Sequence, residues 1–220
     1  MLAEYLVLST DHRHEIVKGF CEECVWAHSI RTHFADLVEQ NEKRRELLSE
    51  VASMFFGDLN LLLIEYIILQ KCKLQDPVSD RKKSTNNLTT NYILELNWSI
   101  ETKSILEAEN KRLMNFRKRI VDARNKLVSH LDLKTRLQPL GLGSFTQQEE
   151  QDFWSALQAF ANAAHEEALG SPYPINAAMQ EGDVASLVHY LRDGVDYDDL
   201  VESEDGFLLR RIKEKRFDRA

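Results

Sequence analysis

Residues 106–131 read LEAENKRLMNFRKRIVDARNKLVSHL. Leu113, Phe116, Ile120, Ala123 and Leu127 recur there at three- and four-residue steps, so at about 100° per residue they form one stripe along a helix. Neither Gly nor Pro interrupts the stretch, and the two-residue alternation of a half-buried strand is missing from it.

The same period extends in both directions. Upstream, Ile16, Phe20, Val25, Ile30, Phe34 and Leu37 give a loose amphipathic helix from about 11 to 39. From 41 to 73, Leu47, Leu48, Val51, Met54, Phe55, Leu59, Leu62, Leu63, Tyr66, Ile67 and Leu69 are apolar on most sides, which predicts the most buried helix of the set. Asp76-Pro77 ends it, because proline lacks an N–H and disfavours helical geometry in its predecessor. Thr89 or Thr90 caps a helix carrying Tyr92, Ile93, Leu96, Trp98 and Ile100, with a hinge expected near 101–104. Downstream, Thr146-Gln147-Gln148-Glu149 is a capping box opening a helix with Phe153, Trp154, Leu157, Phe160 and Ala164, closed by Gly170 and Pro172. Two short pieces follow, Ile175–Gln180 and Val184–Leu191, separated by Glu181-Gly182-Asp183 and closed by Asp193-Gly194. They resemble half of an ankyrin-type pair, but a single copy cannot bury its own apolar face, so a hairpin packed on a bundle is expected. The tail turns from acidic (Asp193 to Asp205) to basic (Arg210 to Arg219). The chain thus reads as an all-α fold, with a helical bundle over 1–170 and a C-terminal helical appendage with a charged tail over 171–220.

Composition agrees. With 220 residues, 43% of them apolar, the chain can bury one substantial core. Only 8 Gly and 4 Pro leave too little punctuation for a hairpin-rich sandwich or barrel. The most apolar run, Leu59–Leu69, is broken by Asn60 and Glu65 and falls short of a bilayer span, and the first ten residues lack the features of a signal peptide. The expectation is a cytoplasmic protein with no membrane partner, whose three cysteines stay reduced.

The net charge is −8, yet the segment from Lys111 to Arg136 holds nine Lys or Arg against two acids. Within it Arg124 falls on one edge of the apolar stripe and His130 on the other. On an ideal helix the two stand about 120° and about 9 Å apart, so a long arginine, a distorted turn or a second subunit must close the gap. Arginine offers a fork of donors to phosphate oxygens, and histidine moves protons at neutral pH. RNA carries its own nucleophile, the 2′-OH, so such a pair has the parts for cleaving a phosphodiester. Spacing alone leaves open an ordinary charged helix with a histidine near its end.

Arg124-Asn125 followed by His130 resembles the signature of the HEPN superfamily: an Arg, usually followed by a polar residue, then a His after four to six intervening positions. With Asp76-Pro77 and Asn87-Leu88-Thr89 upstream, the stretch Ala123–Asp132 is similar to the abortive-infection U-like branch. The resemblance implies an antiparallel helical bundle that forms a homodimer and acts on an RNA substrate without metal or other cofactor, as a toxin restrained by an antitoxin protein. It further implies Arg124, Asn125 and His130 as catalytic residues. Arg117, Lys126 and Lys134 of the basic strip would hold RNA. A non-catalytic module binding RNA, a nucleotide or a protein partner is the alternative.

Other constellations carry less. Cys21, Cys24 and His28 have the residue types for zinc, but one helix presents them poorly, and buried thiols are expected instead. No phosphate-cradling glycine loop and no nucleophile elbow occur. Asp198, Asp199, Glu202, Glu204 and Asp205 lack the spacing and turn glycine of a calcium loop and read as a solvated strip. Trp26, Trp98 and Trp154 read as core or interface anchors.

Overall fold

Four of the described helices begin where the sequence supplies a cap. The computed structural model describes residues 10–39, 42–79, 86–125, 144–176 and 183–202, and among them six α-helices and no strand. They are α1 (Thr10–Phe34), α2 (Glu42–Lys73), α3 (Thr90–Glu95), α4 (Ile100–Ala123), α5 (Gln147–Leu169) and α6 (Val184–Glu202), with a π-helical turn, Ala35–Glu39, after α1. Thr89 caps α3, Ser99 caps α4, and Thr146 with Glu149 forms the capping box of α5. Gly170 ends α5 in the left-handed conformation (φ 85°) that a side chain would disfavour.

The break between α3 and α4 lies at Leu96–Ser99, earlier than the hinge expected at 101–104. Local partners explain the shift. Trp98 Nε1 donates to Ile93 O at 2.7 Å, taking a carbonyl of the last turn of α3, and Ser99 Oγ accepts from Thr102 N at 3.2 Å. Glu167 of α5 accepts from Ser99 Oγ at 2.7 Å and fixes the start of α4 against α5.

The chain divides into two compact units, Met1–Arg31 with Leu62–Ala178, and Thr32–Leu61 with Met179–Ala220. In the larger unit α4 and α5 run antiparallel, as the pairs Ser99–Glu167, Arg112–Asp152 and Arg119–Glu149 show. α1 is antiparallel to α5 as well, through Arg13–Glu167, Phe20–Phe160 and Arg31–Glu150. Leu106, Leu113, Phe116, Ile120 and Ala123 of α4 and Phe153, Leu157, Phe160 and Ala164 of α5 are buried, together with Val17, Phe20, Cys21 and Cys24 of α1. The stripe that decides the fold is therefore the core itself. Within the chain, Leu113, Phe116, Ile120 and Ala123 of this stripe are covered.

The smaller unit buries Phe34, Leu37, Leu48, Val184, Val188 and Val201. Asp183 caps α6, its Oδ1 accepting from Ser186 N at 3.1 Å. α6 continues through Asp193-Gly194 to Glu202, so the helical piece expected over Val184–Leu191 is longer than its turn-forming residues suggest. Residues 177–182, which carry most of the preceding piece, lie outside the described residues.

α2 departs furthest from expectation. It kinks at Ala52 (φ −160°, ψ 70°), and its middle is bare: Met54 is 84% exposed, Phe55 and Leu62 62%, and Leu61 61%. By length and composition alone it is the one helix among the described residues that meets the requirement for crossing a bilayer. Its covered positions lie towards the ends, at Leu48 near the start and at Ile67, Gln70, Lys71 and Cys72 in the last turns. Trp26, expected in a core or interface, is 49% exposed and donates from Nε1 to Tyr66 Oη at 2.9 Å.

A buried ionic cluster ties three helices together. Glu150 of α5 accepts from Lys71 Nζ of α2 and from Arg31 of α1, at 2.9 Å (Nε) and 2.7 Å (Nη2). The Lys71 ammonium lies 5.1–5.5 Å from the ring centres of Phe116, Phe145, Phe153 and Trp154, where cation–π attraction replaces part of its lost hydration. Burial alone would raise the Glu150 pKa, but its hydrogen bonds and the charges of Arg31 and Lys71 bring it below the ordinary value. Replacing Glu150 by Gln strands a buried ammonium, so a loss of about 3–5 kcal/mol is expected at neutral pH in urea unfolding. A depressed folded pKa contributes stability above the unfolded value, about 4.3, and loses it as pH falls through the folded value. The gap between parent and Glu150→Gln should therefore narrow in acid.

Candidate functional site

Arg124 stands at the carboxyl end of α4, where α-helical bonding gives way to a π-turn at Arg124 and Asn125. Such turns hold one extra residue and re-aim the side chains on them. Arg124 Nη1 donates to Asn125 Oδ1 at 3.0 Å, so the two side chains meet within one chain. Asn125 itself is exposed.

Two turns earlier on the same face stands Arg117. Its Nη2 donates to Asp76 Oδ1 at 2.7 Å, while Arg124 Nη2 lies 3.6 Å from Asp76 Oδ2. One carboxylate at the end of α2 thus faces both guanidiniums of α4. All three side chains are partly buried, and the Nε of each arginine is buried without an acceptor among the described residues.

A polar network fixes Asp76. Asp76 N donates to Lys73 O at 3.1 Å, extending the last turn of α2. Asn91 Nδ2 donates to Asp76 O at 3.1 Å and to Gln75 O at 3.3 Å. Asn110 Nδ2 donates in turn to Asn91 Oδ1 at 3.1 Å, and Thr90 Oγ1 to Asn110 Oδ1 at 2.7 Å. Past the proline, Asn87 Nδ2 donates to Pro77 O at 2.9 Å and Asn87 N to Val78 O at 2.6 Å. The segments around Asp76-Pro77 and Asn87-Leu88-Thr89, ten residues apart at Pro77 and Asn87, meet beside α4.

The structure brings together Arg117, Arg124 and Asn125. Lys126, His130 and Lys134 lie outside the described residues. Asp76 was missed as a site residue, because in the sequence it is legible as a helix stop and as part of the family resemblance, with nothing to pair it with the arginines. An acid directly before a helix-ending proline, in a chain with a basic strip elsewhere, was the signal available.

The HEPN family model described as AbiU2 matches residues 11–197, most of the chain. The chain belongs to the AbiU2 family of HEPN domains. Comparison with curated proteins and with solved structures gives no match. This AbiU2-type protein is therefore an abortive-infection-related HEPN domain, and its superfamily includes ribonucleases.

Other clusters in the AbiU2-type fold have structural explanations. A cleft of about 290 Å³ between α4 and α5 is lined by Arg112, Asn115, Phe116, Arg119, Glu149, Asp152 and Phe153, but it lies on the opposite flank of α4 from Arg117 and Arg124. Its cations are already paired, Arg119 with Glu149 at 2.7 Å and Arg112 with Glu109 at 2.6 Å. Among the described residues no three His, Cys, Asp or Glu are grouped to hold a metal. Cys21 and Cys24 point into the core, while His28 packs edge-on against Trp154 with ring centres 5.0 Å apart.

Burial pushes the Cys21 thiol up to about 12 and Cys24 well above its usual value. Burial also raises Cys72 to about 11, against the lowering charge of Arg117. All three should stay protonated and unreactive in the folded state. With a disulfide reagent at pH 8, native protein is expected to react only as fast as it unfolds and denatured protein to release three equivalents. A rapid native equivalent, or stoichiometric zinc in elemental analysis, would contradict this.

Proposed function

We propose that this AbiU2-type protein is a metal-independent endoribonuclease of the cytoplasm, acting as the toxin of an antiphage or toxin–antitoxin system. The observation that carries the reading is the convergence of Arg117, Arg124 and Asn125 at the end of α4, directly before the segment that bears His130. Arg124 contacts the scissile phosphate and stabilises the charge that grows on its oxygens. His130 transfers a proton, either from the attacking 2′-OH or to the leaving 5′-oxygen. The 2′-oxygen bonds to phosphorus as the 5′-oxygen departs, which leaves a 2′,3′-cyclic phosphate. Asn125 orients Arg124, and Arg117, Lys126 and Lys134 hold the backbone on either side.

Family membership and the intact motif support a working dimer, the arrangement in which two such segments share a cleft. The bare stripe of α2 supports it separately, since exposed apolar stripes of this kind mark contacts with other molecules. Asp58 and Glu65 are exposed on the same stripe and would each cost about 2.5–3.5 kcal/mol at a bilayer centre, which favours a protein over lipid. Light scattering at micromolar concentration is expected to give twice the 25.5 kDa chain mass, and Phe55→Asp with Leu62→Asp to halve it.

Purified protein incubated with RNA in a chelator is expected to produce 2′,3′-cyclic phosphate ends. His130→Ala should slow cleavage by about 10²- to 10⁴-fold while leaving RNA affinity nearly intact. Arg124→Ala should lower both rate and affinity and flatten the salt dependence of binding by about one ion. Cleavage equal to the parent's by both folded variants removes the active-site assignment. No cleavage by a folded parent across a broad RNA panel leaves the binding module.

A further inference from the structure

We propose that Asp76 is a positioning residue, a fixed carboxylate that gathers Arg117 and Arg124 into one receptor for an RNA phosphate and holds the phosphate's place until RNA arrives. The proposal rests on the ribonuclease reading above and extends it to α2, which carries none of the residues named by the motif.

The geometry divides the labour between the two arginines. They are seven residues apart, about 10.5 Å along the axis of α4, and like-charged guanidiniums on one face repel. They nevertheless reach one carboxylate from either side, at 2.7 Å for Arg117 and 3.6 Å for Arg124. The shorter contact is a charge-assisted hydrogen bond; the longer one is attraction without a formed bond. Arg117 and Asp76 are thus a committed pair, and Arg124 leans on that pair while remaining able to turn.

Asp76 cannot follow its partners. Its backbone is held by Asn91, and Asn91 by Asn110 of α4, while Asn87 grips the next carbonyl, Pro77 O. A guanidinium has five N–H donors, and neither arginine uses most of its own among the described residues. Two positive charges facing one negative leave an excess of one, which a single phosphodiester neutralises.

Removing the Asp76 charge should therefore move binding and turnover in opposite directions, which loss of a purely structural contact would not do. The test uses Asp76→Asn in the full-length protein, since Asn keeps the shape of the side chain, with thermal unfolding as a check on folding. Affinity is read by fluorescence anisotropy on a 2′-O-methyl RNA oligomer, which offers phosphates but no nucleophile, over a salt series. Cleavage of the matching unmodified RNA is read under single-turnover conditions at saturating protein.

Asp76→Asn is expected to bind the methylated oligomer more tightly, with a salt slope steeper by up to about one ion, and to cleave about 10- to 100-fold more slowly. In an Arg124→Ala background the same substitution should cost little further rate, because the residue it positions is gone. Unchanged affinity in a folded Asp76→Asn variant, a joint fall of affinity and rate, or an undiminished loss in the Arg124→Ala background would each overturn the proposal. A parent that cleaves no RNA removes the ribonuclease reading. The methylated-oligomer arm still decides whether Asp76 competes with phosphate, and unchanged affinity there overturns the proposal on its own.

Discussion

Glu150 accepts hydrogen bonds from two cations inside the larger unit, and the placement of three helices follows from that one carboxylate. A lysine ammonium buried among four aromatic rings is tolerable only if a countercharge reaches it. Glu150 does so from the first turn of α5, where the helix dipole also favours an acid, and Arg31 closes the cluster from α1. The last turns of α2 are held against α1 and α5 by this contact rather than by apolar packing of its own middle. Since Asp76 lies five residues beyond Lys71, the cluster also sets where the carboxylate that faces α4 emerges.

Much of the fold was legible because the signals for it are local. The stripe Leu113, Phe116, Ile120, Ala123 predicts a helix and its buried face without reference to anything else. Caps such as Thr89 and the Thr146–Glu149 box depend on residues within one turn. What failed depends on distant partners. Apolarity on most sides of α2 reads as deep burial, yet which neighbour covers a side chain is not written in its own period, and residues 51–64 are largely bare. The hinge between α3 and α4 moved because Trp98 and Ser99 answer unsatisfied backbone groups that periodicity does not count.

The candidate site was legible to a different extent. Arg124 and Asn125 stood out through resemblance, and spacing alone did not separate them from chance. Arg117 was one of nine cations in its strip, and only the contact with Asp76 distinguishes it from Arg112 or Arg119, whose partners are neighbouring surface acids. Asp76 itself was invisible as a site residue. A salt bridge between positions 41 apart has no sequence signature, and the helix-stopping proline beside it supplied a sufficient local explanation. The Cys21, Cys24 and His28 group shows the opposite case, a local pattern of the right residue types that packing disperses between the core and the face of Trp154.

The π-turn at Arg124 and Asn125 bears on how the motif tolerates variation. On a regular α-helix each residue inserted between an arginine and a histidine swings the second by about 100°, so a spacing that varies by two positions would scatter the histidine around the axis. A π-turn is the structural form that one inserted residue takes inside a helix. Arg124 itself keeps α-helical φ and ψ, its N–H reaching Ile120 O, so its direction is set by the body of α4 before it and not by the number of residues that follow. A signature defined loosely in length is compatible with a site defined tightly in space.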